Sequence, residues 1–204
     1  MLTTLLLPSE GSANVAGFDI VKESVEVRKR IGYLPENVQL YDSLTAYENL
    51  EYFAKLSGIE KPRGRIQEVL AYLDASDFQG KRMGACSKGM RQKIGIAQAI
   101  LHKPQVLFLD EPTSGLDPFS VKQLRTTVLR LNKETGMTIF MNTHQLSEVT
   151  QTCSTLGVLS HGMLIYADSL ENTLKCFKDE ASLEEIYLSI EKSGDNDAQQ
   201  RNCT

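Results

Sequence analysis

The sequence predicts an α/β fold: a sheet of mostly parallel strands that delivers acids to its carboxyl edge, with a helical insert. Three observations carry that expectation. Val106-Leu107-Phe108-Leu109 is an unbroken apolar run that ends in Asp110-Glu111, the pattern of a strand buried on both faces. Strand-like stretches at 31–34, 106–109 and 137–141 are separated by segments of helical period, as in sheets whose strands are joined by helices. A length of 204 residues suffices for one sizeable core or two small ones.

Composition bounds the partners. A net charge of −4 offers no general field for nucleic acid, so none is expected. Cys86, Cys153, Cys176 and Cys203 show no paired C-x-x-C spacing, which reads as reduced thiols in a cytosolic protein. No apolar run approaches the roughly 18 residues of a membrane span. Leu5-Leu6-Leu7-Pro8 is too short, and lacks the basic flank, for a signal peptide. Any membrane link must then go through a partner.

Two adjacent carboxylates at a sheet's carboxyl edge, where open α/β folds bind ligands, suggest a division of labour. One can hold a hydrated Mg²⁺, and the next can orient or deprotonate a water that attacks a phosphoryl group. A solvated strand end bordering an Asp-rich turn has the same local look, so the neighbours decide. Cys86-Ser87-Lys88-Gly89-Met90 lies upstream, Ser114-Gly115-Leu116-Asp117 follows, and Asn142-Thr143-His144 comes after the next apolar strand. In that order these segments resemble the signature, Walker B, D-loop and H-loop series of ATP-binding cassette (ABC) ATPases. The resemblance runs from Met1 to about Ile190. It implies a P-loop NTPase (RecA-like) core of mostly parallel strands with an inserted helical subdomain, N-terminally truncated. The implied parts are 1–36 as the remainder of the N-terminal core, 37–103 as the helical subdomain with the signature, and 104–167 as the catalytic core; 168–192 form a helical segment and 193–204 a tail.

Taken in order, Met1 to Leu7 looks like the last turns of a helix stopped by Pro8. The resemblance places the G-x-x-x-x-G-K-[ST] loop just upstream of Met1; a misassigned start or a real truncation would each leave the chain in this form. No such loop occurs within the 204 residues. Its backbone N–H groups and lysine cradle phosphates, so half of a nucleotide site is expected to be missing. Ala13 to Ile20 reads as a strand, Glu23 to Arg30 as a short charged helix, and Ile31 to Leu34 as a strand running into Pro35-Glu36. Glu36 occupies the position where the family has a Gln that touches Mg²⁺. A carboxylate still offers an oxygen ligand there, and a surface-loop Glu is the competing reading.

Thr45 and Glu48 form a capping box for a helix that Gly58 stops. Ile66, Val69, Leu70 and Leu73 give Arg65 to Asp74 an amphipathic period. Ser87 is an N-cap, and the helix it opens runs to Pro104, with His102 read as an exposed helix-end residue. Asp117-Pro118 caps the next helix, which Val121, Leu124, Val128 and Leu131 pack and Gly136 ends. Met137 to Met141 is the following strand. Thr155 to Ser160 and Met163 to Tyr166 flank a turn at His161-Gly162, and Ser182 with Glu185 opens a last helix carrying Ile186 and Ile190. Disorder is expected from Ser193 onward.

By the resemblance, Asp110 binds Mg²⁺, Glu111 is the catalytic base, His144, Ser87 and Gly89 contact the γ-phosphate of ATP, and Asp117 communicates across a cassette dimer. Lys88 adds a cation beside Ser87. The signature departs from the usual Leu-Ser-Gly-Gly-Gln of the family at Cys86, Lys88 and Met90. The function implied is the ATP-hydrolysing subunit of an ABC transporter serving export, cytoplasmic and peripheral to the membrane. Its partners would be a membrane-spanning subunit and a second cassette. The alternative is a catalytically inactive cassette acting as a binding module. A nucleotide-free metal hydrolase using Asp110, Glu111 and His144 has no recognisable ligand spacing to support it. In the family the strand ending in the missing loop lies between those matching 137–141 and 155–160, so both should lack a neighbour.

Overall fold

The computed structural model describes residues 1–178, 180 and 182–194. It forms two compact units that divide between Asn142 and Thr143.

The first unit opens on irregular turns. The expected helical turns before Pro8 do not form: Thr4 has φ +62° and its amide donates to the Met1 carbonyl at 2.8 Å. So short a stretch closes few helical hydrogen bonds, and Leu5, Leu6 and Leu7 stay exposed without a face to pack against. The strand expected over 13–20 is instead a hairpin of β1 (Asn14–Val15) and β2 (Phe18–Asp19). Ala16 and Gly17 both take positive φ, +52° and +85°, as a two-residue turn matched to strand twist requires.

Next come α1 (Ser24–Arg30), β3 (Ile31–Leu34), α2 (Ala46–Leu56) and α3 (Pro62–Tyr72). The Thr45–Glu48 capping box is present in both directions. The third helix starts three residues earlier than its apolar period indicated, because Pro62 sits at its first turn, where a missing N–H costs nothing. Then follow α4 (Lys88–Ile100), β4 (Val106–Asp110), α5 (Pro118–Thr135) and β5 (Thr138–Asn142). Gly136 ends α5 in the left-handed conformation at φ +69°.

Strands β3, β4 and β5 make one parallel sheet in that order, with Tyr33 opposite Phe108 and Asp110 opposite Asn142. Alternation along β4 divides the cores. Leu107 and Leu109 join the cluster built from α2 to α5, whereas Phe108 packs with Val15, Ile20, Val27 and Ile31 on the other face. The helical insert therefore shares one continuous core with a face of the sheet. His102 is not the exposed residue expected: it is half-buried, and its Nε2–H donates to the Ile31 carbonyl at 2.9 Å, because the end of α4 abuts the start of β3.

The second unit holds α6 (Leu146–Thr152), β6 (Thr155–Ser160), β7 (Met163–Ser169), α7 (Leu170–Cys176) and α8 (Leu183–Gly194) around Val158, Ile186 and Ile190. His161 and Gly162 form the expected hairpin turn at φ +49° and +79°, and Ser182 Oγ accepts the Glu185 amide at 3.2 Å. Two residues of the expected tail, Ser193 and Gly194, lie in α8, and the rest falls outside the described residues. Cys86 and Cys153 are free thiols, as expected, whereas the bond of Cys176 involves a residue outside the described ones. Among the described residues β5 has a neighbour on one side only and β6 pairs with β7 alone.

Candidate nucleotide site

The acids arrive where the buried strand delivers them. Asp110 is the last residue of β4, and its carboxylate is held from two flanking strands. Asn142 Nδ2 donates to Oδ1 at 2.9 Å, and the Tyr33 hydroxyl makes a longer contact with Oδ2 at 3.5 Å. Burial, and then the Asp110 charge, push the Tyr33 phenol above its usual range, so it stays a donor. Glu111 takes φ +44°, uncommon for a side chain of this size, while its amide bonds the Asn142 carbonyl at 2.9 Å. Strain of this kind gathers at sites where the surrounding structure fixes it.

The loop after Glu111 is gripped at several points. The Ser114 amide donates to the Glu111 carbonyl at 3.1 Å, and the Ser114 hydroxyl donates to Glu36 Oε1 at 3.4 Å. Glu36 is thereby tied to the loop that follows Asp110 and Glu111. The buried Gln92 of α4 donates to the Pro112 carbonyl at 2.8 Å. Asp117 is fully engaged as the α5 cap: Oδ1 accepts the Phe119 and Ser120 amides at 3.0 Å each, and Oδ2 accepts the Ser120 hydroxyl at 2.6 Å. The Ser120 hydroxyl is the largest cause of a carboxyl held below its usual range.

At the start of α4, Ser87 Oγ accepts the Met90 amide at 3.3 Å, leaving its hydroxyl hydrogen to donate. Gly89 has to be a glycine, since a Cβ there would lie 2.7 Å from Ser120 Oγ. Lys88 lies over Gly115. The first unit thus brings Glu36, Ser87, Lys88, Gly89, Asp110, Glu111 and Asp117 onto one connected set of segments. His144 belongs to the second unit, two residues before α6.

Tyr33, Gln92, Ser120 and Asn142 escaped the reading of the sequence. Asn142 could have been found by counting, because parallel strands of equal length end side by side and Asn142 closes the strand next to Asp110. Among the described residues no group of three or more His, Cys, Asp and Glu could hold a metal alone. Mg²⁺ usually takes only one or two carboxylates and completes its shell with phosphate and water, so the oxygens of Asp110 and Glu36 fit it as part ligands.

Strand-end acids, a helix N-terminus with a free donor and a capped loop between them define a class: nucleotide-binding α/β proteins of the P-loop kind. A family model described as ABC transporter matches residues 1–114. The ATP-binding protein NatA of an ABC transporter of Bacillus subtilis is 38% identical over 192 residues, covering 93% of this chain and 77% of that protein. The bacitracin transport ATP-binding protein BcrA of Bacillus licheniformis is 41% identical over 165 residues, 81% of this chain but 54% of that protein. A solved ATP-binding subunit of an ABC transporter superposes with a TM-score of 0.78 at 26% identity, covering 93% of this chain and 80% of that one. The chain belongs to the ABC transporter ATP-binding family. It spans about half the length of several of its relatives.

Proposed function

We propose that the protein binds and hydrolyses Mg-ATP in a cassette dimer and couples hydrolysis to export through a membrane-spanning subunit. The observation that carries this reading is the Asp110–Glu111 pair at the sheet edge, with Asp110 fixed by Asn142 and Tyr33. Asp110 presents its remaining lone pairs to Mg²⁺, with Glu36 as a second oxygen donor. Bound Mg²⁺ supplies charge neutralisation to the phosphates. Glu111 takes the proton of the attacking water. Ser87, the Gly89 amide and the Lys88 ammonium meet the γ-phosphate of a nucleotide held by the other cassette, and the helix N-terminus favours that anion. His144 serves as a further γ-phosphate donor, and Asp117, by fixing the α5 start, transmits the state of one cassette to the other.

Transport is supported by the bacitracin transport name of one relative, and its outward direction belongs to the proposal. A cytoplasmic, membrane-peripheral place follows from that role, and no helix among the described residues is long and apolar enough to cross a membrane. The test is Mg-dependent ATP hydrolysis by the purified protein with its membrane partner. Glu111→Gln should abolish turnover with ATP still bound, because the amide keeps the shape but takes no proton. Near wild-type turnover would overturn the base assignment.

A narrower expectation concerns these 204 residues taken by themselves: they contain no G-x-x-x-x-G-K-[ST] phosphate cradle and should hold Mg-ATP weakly. Each charge-assisted phosphate contact is worth about 1.5–3 kcal/mol. Three or four such losses move a micromolar affinity beyond about millimolar. Calorimetry with Mg-ATP on the 204-residue chain decides, and micromolar binding would overturn this expectation.

A further inference from the structure

We infer that Lys88 is a positioning residue that holds the loop between Glu111 and Asp117 in register with the start of α4. Two approaches join these segments, and a third joins the start of α4 to the α5 turn that follows the loop. Gln92 donates to the Pro112 carbonyl at 2.8 Å. Gly89 passes so close to Ser120 that a Cβ would sit 2.7 Å from its Oγ. Lys88 lays its side chain along Gly115: a Cβ there would be 2.7 Å from Nζ, 3.6 Å from Cε and 3.7 Å from Cδ. Gly115 itself has φ +64°, a backbone conformation that favours glycine, and a methyl added there would displace the end of Lys88.

Gln92 and Ser120 act through hydrogen bonds or cap geometry. Lys88 acts by contact of its far end, Nζ nearest the loop and Cε and Cδ behind it, and its ammonium makes no hydrogen bond or ion pair among the described residues. A long cationic side chain commonly lies along a surface with one flank of its outer end still in water. Here that surface is the crest of the loop. The Ser114 amide beside it bonds the Glu111 carbonyl, and the Ser114 hydroxyl bonds Glu36. A loop lifted at Gly115 would therefore loosen the backbone at Glu111 and release the Glu36 carboxylate. Through the loop, Lys88 thus bears on the Glu111 backbone and on the Glu36 carboxylate.

The test needs no nucleotide, so its failure is separate from failure of the ATP reading. Amide exchange is followed by NMR at Ser114 and at Leu116, whose amide donates to the Thr113 carbonyl at 3.1 Å. Lys88 is exposed at the first turn of a helix, so Lys88→Ala should fold. It should speed exchange at these two amides on the order of tenfold, by easing a local opening, with the rest of the chain unchanged. Lys88→Met, which keeps an unbranched stem and drops the charge, should restore protection to within about twofold of wild type. Gly115→Ala should lower the midpoint of thermal unfolding more in the wild type than in Lys88→Ala, where the stem no longer meets the new methyl. The inference is overturned if Lys88→Ala leaves both amides within about twofold of wild type or speeds exchange evenly along the chain. Lys88→Met behaving like Lys88→Ala, or Gly115→Ala costing the same in both backgrounds, would also overturn it.

Discussion

Asn142 and Asp110 end neighbouring strands, and the amide of one holds the carboxylate of the other at 2.9 Å. Strand register therefore sets the orientation of Asp110, and the proposed Mg²⁺ ligand is aimed by an element about thirty residues away in sequence.

Loss of that bond should be measurable. Asn142→Ala removes a hydrogen bond to a charged group that is open to water, and should lower unfolding stability by about 1 kcal/mol. Asn142→Asp should cost more, because two carboxylates then face each other, and the difference between the variants should shrink as salt is raised. Urea unfolding of both at low and high salt checks this. Equal costs at low salt would mean that Asp110 does not depend on its neighbour.

Packing between β3 and α4 gives a sharper test. A Cβ on Gly32 would lie 2.3 Å from the Ala99 carbonyl oxygen, a backbone atom, whereas one on Gly95 would meet only Leu34 and Val38 methyls at 2.6–2.7 Å. Side chains can give and backbone cannot. Gly32→Ala should therefore fall at or above the top of the usual overpacking range of about 1–3 kcal/mol, and Gly95→Ala nearer its bottom. The two denaturation midpoints should be ordered accordingly.

What was legible in the sequence was local chemistry. The Thr45–Glu48 box, the Ser87 and Asp117 caps and the Gly136 stop each satisfy backbone groups a few residues away, so they can be read without knowing the fold. The Asp110–Glu111 strand end was legible for a related reason: a run apolar on both faces has only one home in an α/β sheet. The 13–20 segment failed because Ala16-Gly17 is a weak turn signal beside Asn-Gly, and apolar composition prevailed in the reading. Tyr33, Asn142 and the lie of Lys88 over Gly115 depend on register and helix placement, which spacing alone does not carry.

His102 supplies a pH dependence with a definite sign. Burial pushes its pKa below the ordinary 6.5, and the hydrogen bond to the Ile31 carbonyl only partly opposes that shift. The unfolded chain then binds the proton at a higher pH than the folded one. Stability is full above pH 6.5 and is lost as pH falls through the folded pKa. Asp19, Glu26, Glu48 and Asp117, all held below their ordinary values of 3.8 or 4.5, lose their contributions in a separate, more acid window. His102→Gln keeps a donor for Ile31 and does not titrate. It should flatten the profile just below pH 6.5 and leave the acid limb in place; an unchanged profile would move the dependence to another group.

The last prediction concerns the open side of β5. A strand in a parallel sheet is normally covered on both faces and paired on both sides, yet Phe140 is 53% exposed and, among the described residues, β5 pairs with β4 alone. Edge strands with apolar side chains and unpaired N–H and C=O groups template association with other chains. The 204-residue chain should accordingly self-associate and bind hydrophobic dye as its concentration rises. Phe140→Lys places a charge on that edge, a device that natural sheets use against such pairing. Its cost is bounded, because the ring is 53% exposed and its pairing with Phe108 at 5.5 Å is worth about 0.5–1.5 kcal/mol beyond the area it covers. Light scattering across a concentration series should show wild type growing in mass and Phe140→Lys staying monomeric, with unfolding midpoints that differ little. If both chains stay monomeric, the edge is protected in some other way; if both associate equally, the adhesive surface lies elsewhere.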